Sequence, residues 1–229
     1  MSNEILISKT PITLLGGGEA TRETLNAALN HAPMVAAADG GAKVAILNGI
    51  RPQAVIGDFD SLDDETRSQL EPDTLHQISE QDSTDFDKAL RNIRAPLVVG
   101  VGFLGGRLDH QLAAFNTLTA HPDKPCILID ETDIVFLAPP ELRLSLPSGS
   151  VFSLFPMGRV NGRSAGLCWP IDGIEFNPDG RVGTSNKVCG PVELEMSDPR
   201  MLVIVPIEAL NEVVQALTTS DARWLSRAG

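Results

Sequence analysis

The feature that most constrains this chain is an alternation of short apolar runs with amphipathic stretches between Pro11 and about Ala138. The apolar runs read as strands over Ile12–Leu15, Met34–Ala38, Ala54–Ile56, Leu75–Ile78, Leu97–Val101 and Cys126–Ile129. Helical spacing lies between them over Thr21–Asn30, Gly41–Asn48, Thr84–Ile93 and Leu108–Ala120. Strands separated by helices become neighbours through right-handed crossovers, so most of this sheet is expected to be parallel. In open sheets of that kind ligands gather beyond the carboxyl ends of the strands, which directs attention to the strand-to-helix loops.

The pattern breaks at Pro139-Pro140, which can continue neither a helix nor a central strand. Beyond it come β-type runs over Leu142–Leu146, Val151–Phe155, Gly166–Trp169, Val192–Met196 and Met201–Val205, separated by Gly, Pro, Asn and Asp. From Ile207 to Leu225, helical spacing puts Ile207, Leu210, Val213, Val214 and Leu217 on one face. The expected fold is therefore an α/β N-terminal domain with a mostly parallel sheet (1–138), followed by a small all-β domain with a C-terminal helix (139–229).

Charge narrows the partners. With 18 Lys and Arg against 30 Asp and Glu, the net charge is -12, and no basic run is present to track a phosphodiester backbone. Nucleic acid is not an expected partner. A small polyphosphate remains compatible if the carboxylates hold divalent cations that present positive charge to it. Cys126, Cys168 and Cys189 form no metal-ligand spacing and read as reduced thiols. The N-terminal stretch lacks a basic start and is interrupted by Lys9 and Pro11, so neither a signal peptide nor a membrane span is expected, and the cytoplasm is the expected compartment.

Four loop motifs carry the chemistry. In Gly57-Asp58-Phe59-Asp60-Ser61, residues two apart point the same way in an extended loop, so Asp58 and Asp60 can share one Mg²⁺. The plain alternative is a polar turn in which Asp60 or Ser61 caps a helix starting near Asp63. Gln81 to Leu90 opens a helix that Asp82 or Ser83 can cap, with Phe86, Leu90 and Ile93 as its buried stripe. Asp85 and Lys88 are neighbours in its first turn, as a phosphate-facing pair or as a simple surface ion pair. Gly102 to His110 offers close backbone approach and an arginine, Arg107, that can grip phosphate oxygens, with Asp109 and His110 at the same rim and Asn116 two turns further on. Asp39, Gly40 and Gly41 end another strand, and Gly16-Gly17-Gly18 reads as a tight turn that fits no phosphate-loop pattern.

Taken in order, ADGGA, GDFDS, QDSTDFDKAL and GGRLDH resemble the thiamine pyrophosphokinase family, and Gly183-Thr184-Ser185-Asn186 resembles that family's substrate loop. The resemblance implies an N-terminal α/β domain that binds Mg²⁺ and ATP, and a C-terminal β-sandwich that binds thiamine and forms a homodimer. It implies catalytic roles for Asp58, Asp60, Asp85, Lys88 and Asp109, with Mg²⁺ held by Asp58, Asp60 and Asp85. It places Asp39, Gly40, Arg107, His110 and Asn116 near the nucleotide, and Gln81, Asp82, Thr84, Ser185 and Asn186 near thiamine, Gln81 reaching the other subunit's site. Animal members pack a tryptophan on thiamine near the last strand, where this chain reads Asp198-Pro-Arg-Met-Leu. Two rival readings stand beside it: a pyrophosphokinase for another small alcohol such as a hydroxymethyl pterin, and a non-catalytic nucleotide or thiamine sensor.

Overall fold

The computed structural model describes residues 4–226. The described residues form two compact units, one of residues 4–117 and 128–131, the other of 118–127 and 132–226. Among the described residues no helix is long and apolar enough to cross a membrane.

Up to Ile129 the chain runs β1 (Leu6–Ile7), β2 (Ile12–Leu15), α1 (Arg22–His31), β3 (Met34–Ala38), α2 (Gly41–Leu47), β4 (Ala54–Gly57), α3 (Asp64–Ser68), β5 (Leu75–Gln77), α4 (Asp85–Arg91), β6 (Ile93–Arg94), β7 (Val98–Val101), α5 (Leu108–Ala120) and β8 (Cys126–Ile129). Strands β2 and β7 pair in parallel, as do β3 with β4 and β4 with β5. β2 and β4 are buried at every residue, as befits strands covered on both faces. The expected strands and helices are therefore present, with ends displaced by a residue or two at most. Three short pieces, β1, β6 and α3, are too brief to produce a periodic signal.

Two expected helix caps are corrected. Asp63, rather than Asp60 or Ser61, caps α3 by accepting the Thr66 N–H at 2.8 Å. Thr84, rather than Asp82 or Ser83, caps α4 by accepting the Asp87 N–H. In both cases several adjacent residues have capping chemistry, and only the backbone path decides which one is extended at the turn. Thr84→Ala is expected to lower stability by about 1 kcal/mol in chemical denaturation. An unchanged KM for the acceptor in that variant would limit Thr84 to this capping role.

The second unit contains β9 (Asp133–Leu137), β10 (Glu141–Leu144), β11 (Val151–Pro156), β12 (Val160–Leu167), β13 (Glu175–Phe176), β14 (Gly183–Met196), β15 (Met201–Pro206) and α6 (Leu210–Thr219). Its pairings are antiparallel: β9 with β15, β15 with β11, β11 with β14, and β14 with both β10 and β12. By these hydrogen bonds β9 belongs with the later strands. Of the run read as Gly166–Trp169, Gly166 and Leu167 form the end of a longer strand, β12, whose polar, alternating first half masks it in the sequence, and Cys168 and Trp169 lie beyond the strand. The expected C-terminal helix stops at Thr219; its buried face is Leu210, Val213, Val214 and Leu217, and Leu225 is exposed.

The cysteine expectation is overturned for two of the three residues. Cys168 and Cys189 form a disulfide, with Cα atoms 5.3 Å apart. They lie 21 residues apart in sequence, and strand pairing brings them together. Cys126 is a free, buried thiol whose ionisation is suppressed by burial.

Candidate active site

The carboxyl ends of β3 and β4 carry the centre of the site. Close packing of these strands requires Gly57, because a Cβ there would lie 2.7 Å from the Asp39 side chain. Asp39 follows β3 in a left-handed backbone conformation (φ 39°) and is buried. One of its carboxylate oxygens, Oδ2, accepts the Ser61 N–H at 3.1 Å; the other, Oδ1, is buried without a protein partner. Phe59 also has positive φ (69°), and the Arg67 guanidinium lies 5.7 Å from its ring centre. Asp39, Asp58 and Asp60 each offer a ligand oxygen, all within 4.8 Å of one another.

Lys88 enters from α4. It is a buried lysine, 1 % exposed, and its ammonium donates to Asp58 Oδ2 at 2.8 Å and to Asp85 Oδ1 at 3.1 Å. Gln81 Nε2 donates to the same Asp58 oxygen at 3.2 Å. The hydrogen bond from Lys88 holds the Asp58 carboxyl below its ordinary range. Burial pushes the Lys88 ammonium down, but its two carboxylate partners outweigh that and leave its pKa raised. Asp39 is pushed up, first by desolvation and then by the charge of Asp85.

The remaining predicted residues divide plainly. Asp85 is tied to the cluster through Lys88, whereas Gly40 begins the turn into α2 and Asp82 is exposed. Arg107 and Asp109 pair with each other at 2.6 Å at the exposed start of α5 beside the exposed His110, and Asn116 is exposed two turns further along; none of the four joins the cluster of Asp39, Asp58 and Asp60. The triple glycine is a tight packing element. The Gly18 N–H donates to Gly102 O at 3.1 Å, and a Cβ on Gly16 would lie 2.6 Å from that same oxygen. In the second unit, Ser185 is exposed with φ 63°, while Asn186 is buried and its amide is engaged by the backbone of Trp169.

Sequence reasoning had Asp39 near the nucleotide but not among the metal-competent carboxylates, and it did not foresee that Lys88 is buried. The positive φ at Asp39 and the clash that Gly57 avoids are tertiary facts with no local signature. For Lys88 the available signal is its place in a short helix in which Phe86, Ala89 and Leu90 are also buried.

Three carboxylates, one with an orphaned buried oxygen, form an all-oxygen donor set that suits Mg²⁺. Because the Asp39 pKa is raised on folding, ionising this group opposes stability as pH rises through the folded value; the penalty is absent below the unfolded value near 3.8. Asp39→Asn is therefore expected to unfold at a higher temperature than the parent at neutral pH in EDTA, with the gap closing in acid. Thermal unfolding across that pH range checks this, and a constant gap would contradict it.

Carboxylates and a buried lysine at the strand ends of a parallel sheet define the class of site that holds metal ions and phosphates in α/β enzymes. Residues 25–129 match the family model described as thiamin pyrophosphokinase, catalytic domain. Among curated proteins, thiamine pyrophosphokinase 1 of Arabidopsis thaliana is 26% identical over 219 residues, covering 81% of this chain and 82% of its own length. Thiamine pyrophosphokinase 2 of Arabidopsis thaliana is 27% identical over 222 residues with the same coverage, 81% and 82%. Among solved structures, thiamin pyrophosphokinase from Candida albicans superposes with a TM-score of 0.72 at 17% identity, covering 86% of this chain and 89% of that one. That from Geobacillus thermodenitrificans superposes at 0.70 with 23% identity, covering 86% and 97%. The resemblance to the thiamine pyrophosphokinase family seen in the loop motifs is borne out by these matches.

Proposed function

We propose that this chain transfers the β,γ-pyrophosphoryl group of ATP to the hydroxyl of thiamine, releasing AMP and thiamine diphosphate. The observation that carries the reading is the cluster of Asp39, Asp58 and Asp60 with Lys88 buried against Asp58 and Asp85. Bound Mg²⁺ would supply electrostatic neutralisation of the triphosphate, held by Asp58 and Asp60 with Asp39 or Asp85 completing the set.

The chain's own residues do the rest. Lys88 keeps Asp58 ionised and fixes its direction, and its buried ammonium would add positive charge beside the carboxylates that hold the metal. Gln81 braces the same carboxylate from the opposite loop. In the loose transition state expected of such transfers, positioning of donor and acceptor counts for more than basicity, so a carboxylate is a sufficient late proton acceptor from the hydroxyl. Arg107, freed from Asp109, would reach the polyphosphate from a glycine loop that has open space around Gly105 and Gly106. His110, Asn116 and Gly40 complete the nucleotide side in this reading, and Asp82, Thr84, Ser185 and Asn186 the acceptor side.

We place the active form as a homodimer in the cytoplasm, which sedimentation and fractionation test directly. The deciding assay supplies ATP, Mg²⁺ and thiamine and resolves AMP from ADP. Equal AMP and thiamine diphosphate are expected. ADP with the monophosphate would make it an ordinary kinase, and calorimetric binding without product would make it a sensor.

A further inference from the structure

The Cys168–Cys189 disulfide closes the end of the β12–β14 strand pair. From Gly162 to Ala165, β12 pairs residue by residue with β14; the register then breaks at Gly166, and Leu167 opposite Val188 resumes it. Gly166 has φ 77°, and a Cβ there would lie 2.0 Å from Pro191 O, so the bulge requires glycine at this position. Past the bulge the link is continued by the Cys168 N–H to Lys187 O at 2.9 Å and by the disulfide itself.

Directly beyond Cys168 the buried Asn186 side chain clamps Trp169. Asn186 Oδ1 accepts the Trp169 N–H at 3.1 Å, and Asn186 Nδ2 donates to Trp169 O at 2.7 Å. The indole nonetheless stays 59% exposed. It borders a cavity of about 180 Å³ lined also by Ile171, Phe176, Arg181, Gly183 and Thr184. Ser185 in the left-handed region, whose N–H donates to Ser153 Oγ at 3.0 Å, shows that the adjoining strand is bent to form this wall.

We propose that the Cys168–Cys189 disulfide is a reversible lock that positions the Trp169–Asn186 wall of this cavity and thereby sets the affinity for the acceptor. Cys168 is half-buried and Cys189 exposed, so a dithiol reductant can reach the bond. One thiolate of the reductant attacks a cysteine sulfur and the other cysteine leaves as a thiolate that takes up a proton. The reductant's second thiol then displaces the first cysteine, which leaves two Cys thiols and the oxidised, cyclic reductant. Neither cysteine touches the reacting atoms; both are positioning residues. The proposal rests on the thiamine reading above for the identity of the ligand.

The test uses the full chain carrying Trp224→Phe, so that Trp169 is the remaining tryptophan. The protein is assayed after oxidation and after dithiothreitol, with thiols counted in denaturant. Reduction is expected to raise the count from one to three. It should also shift Trp169 emission and raise the thiamine KM by roughly 5- to 10-fold, the low end of coupling between sites, with kcat little changed. Cys168→Ser/Cys189→Ser should match the reduced protein and ignore the reductant. Three thiols after reduction with KM and emission unmoved would overturn the proposal, as would failure of the pair to oxidise. Absence of thiamine turnover in both states would instead overturn the functional reading, and the emission shift alone would then decide the lock.

Discussion

Replacing Asp58 by Asn is expected to abolish nearly all turnover, a loss on the order of 10³-fold or more, because it removes charge where the metal and the lysine both depend on it. Asp58 is the hub of the site: one oxygen accepts from Lys88 and Gln81, the other from the Asp60 N–H, and its backbone carbonyl accepts from Gln77. The amide keeps the size and half of the acceptor capacity, so circular dichroism should show an unaltered fold. A readout independent of activity comes from ligand-linked stability. Mg²⁺ should raise the unfolding temperature of the parent and leave that of Asp58→Asn almost unmoved. Full activity in the variant would remove Asp58 from the metal site and with it the core of the proposed mechanism.

Lys88→Met should cost about 2.7–4 kcal/mol in the transition state, or roughly 10²–10³ in kcat, as for other lost electrostatic donors. The methionine side chain is close enough in length to fill the buried space of Lys88, so the stability change should come from charge rather than from a cavity. Asp58 is only 11 % exposed and Asp85 32 %, so the first loses more than the second when the ammonium is gone. The sign of the pH effect follows from the two shifts. The lowered Asp58 pKa contributes stability that is present above the carboxylate range and lost as pH falls through its folded value. The raised Lys88 pKa contributes stability that is complete below 10.5 and lost as pH rises through its own folded value. Lys88→Met should therefore be least stable relative to the parent between those limits, and the difference should shrink in acid. A pure KM effect for thiamine, with kcat intact, would make Lys88 a binding residue instead.

Much of the first unit was legible because its signals are local. The apolar runs at Ile12–Leu15, Met34–Ala38 and Cys126–Ile129 coincide with strands residue for residue, since a strand buried on both faces has few other ways to read. The second unit was less legible. The long strand Gly183–Met196 looked like a loop followed by a short strand, because its first residues alternate with solvent and bend at Ser185. Likewise the sequence showed carboxylates at strand-to-helix loops, while the assignment of Asp39 to the same small volume as Asp58 and Asp60 needed the parallel pairing of β3 and β4.

What the sequence determined by itself was the alternation of elements, the placing of acidic and glycine-rich residues in the loops that follow strands, and a net charge of -12 that turns such a chain toward cations rather than nucleic acid. Those properties depend on residues near one another in the chain. Tertiary structure alone decided that Lys88 is buried between two aspartates, that Asp39 keeps an oxygen without a partner, and that Cys168 meets Cys189. Each of these joins residues distant in sequence or sets how much water a charge retains, and pairing register and desolvation arise only when the strands and helices are packed.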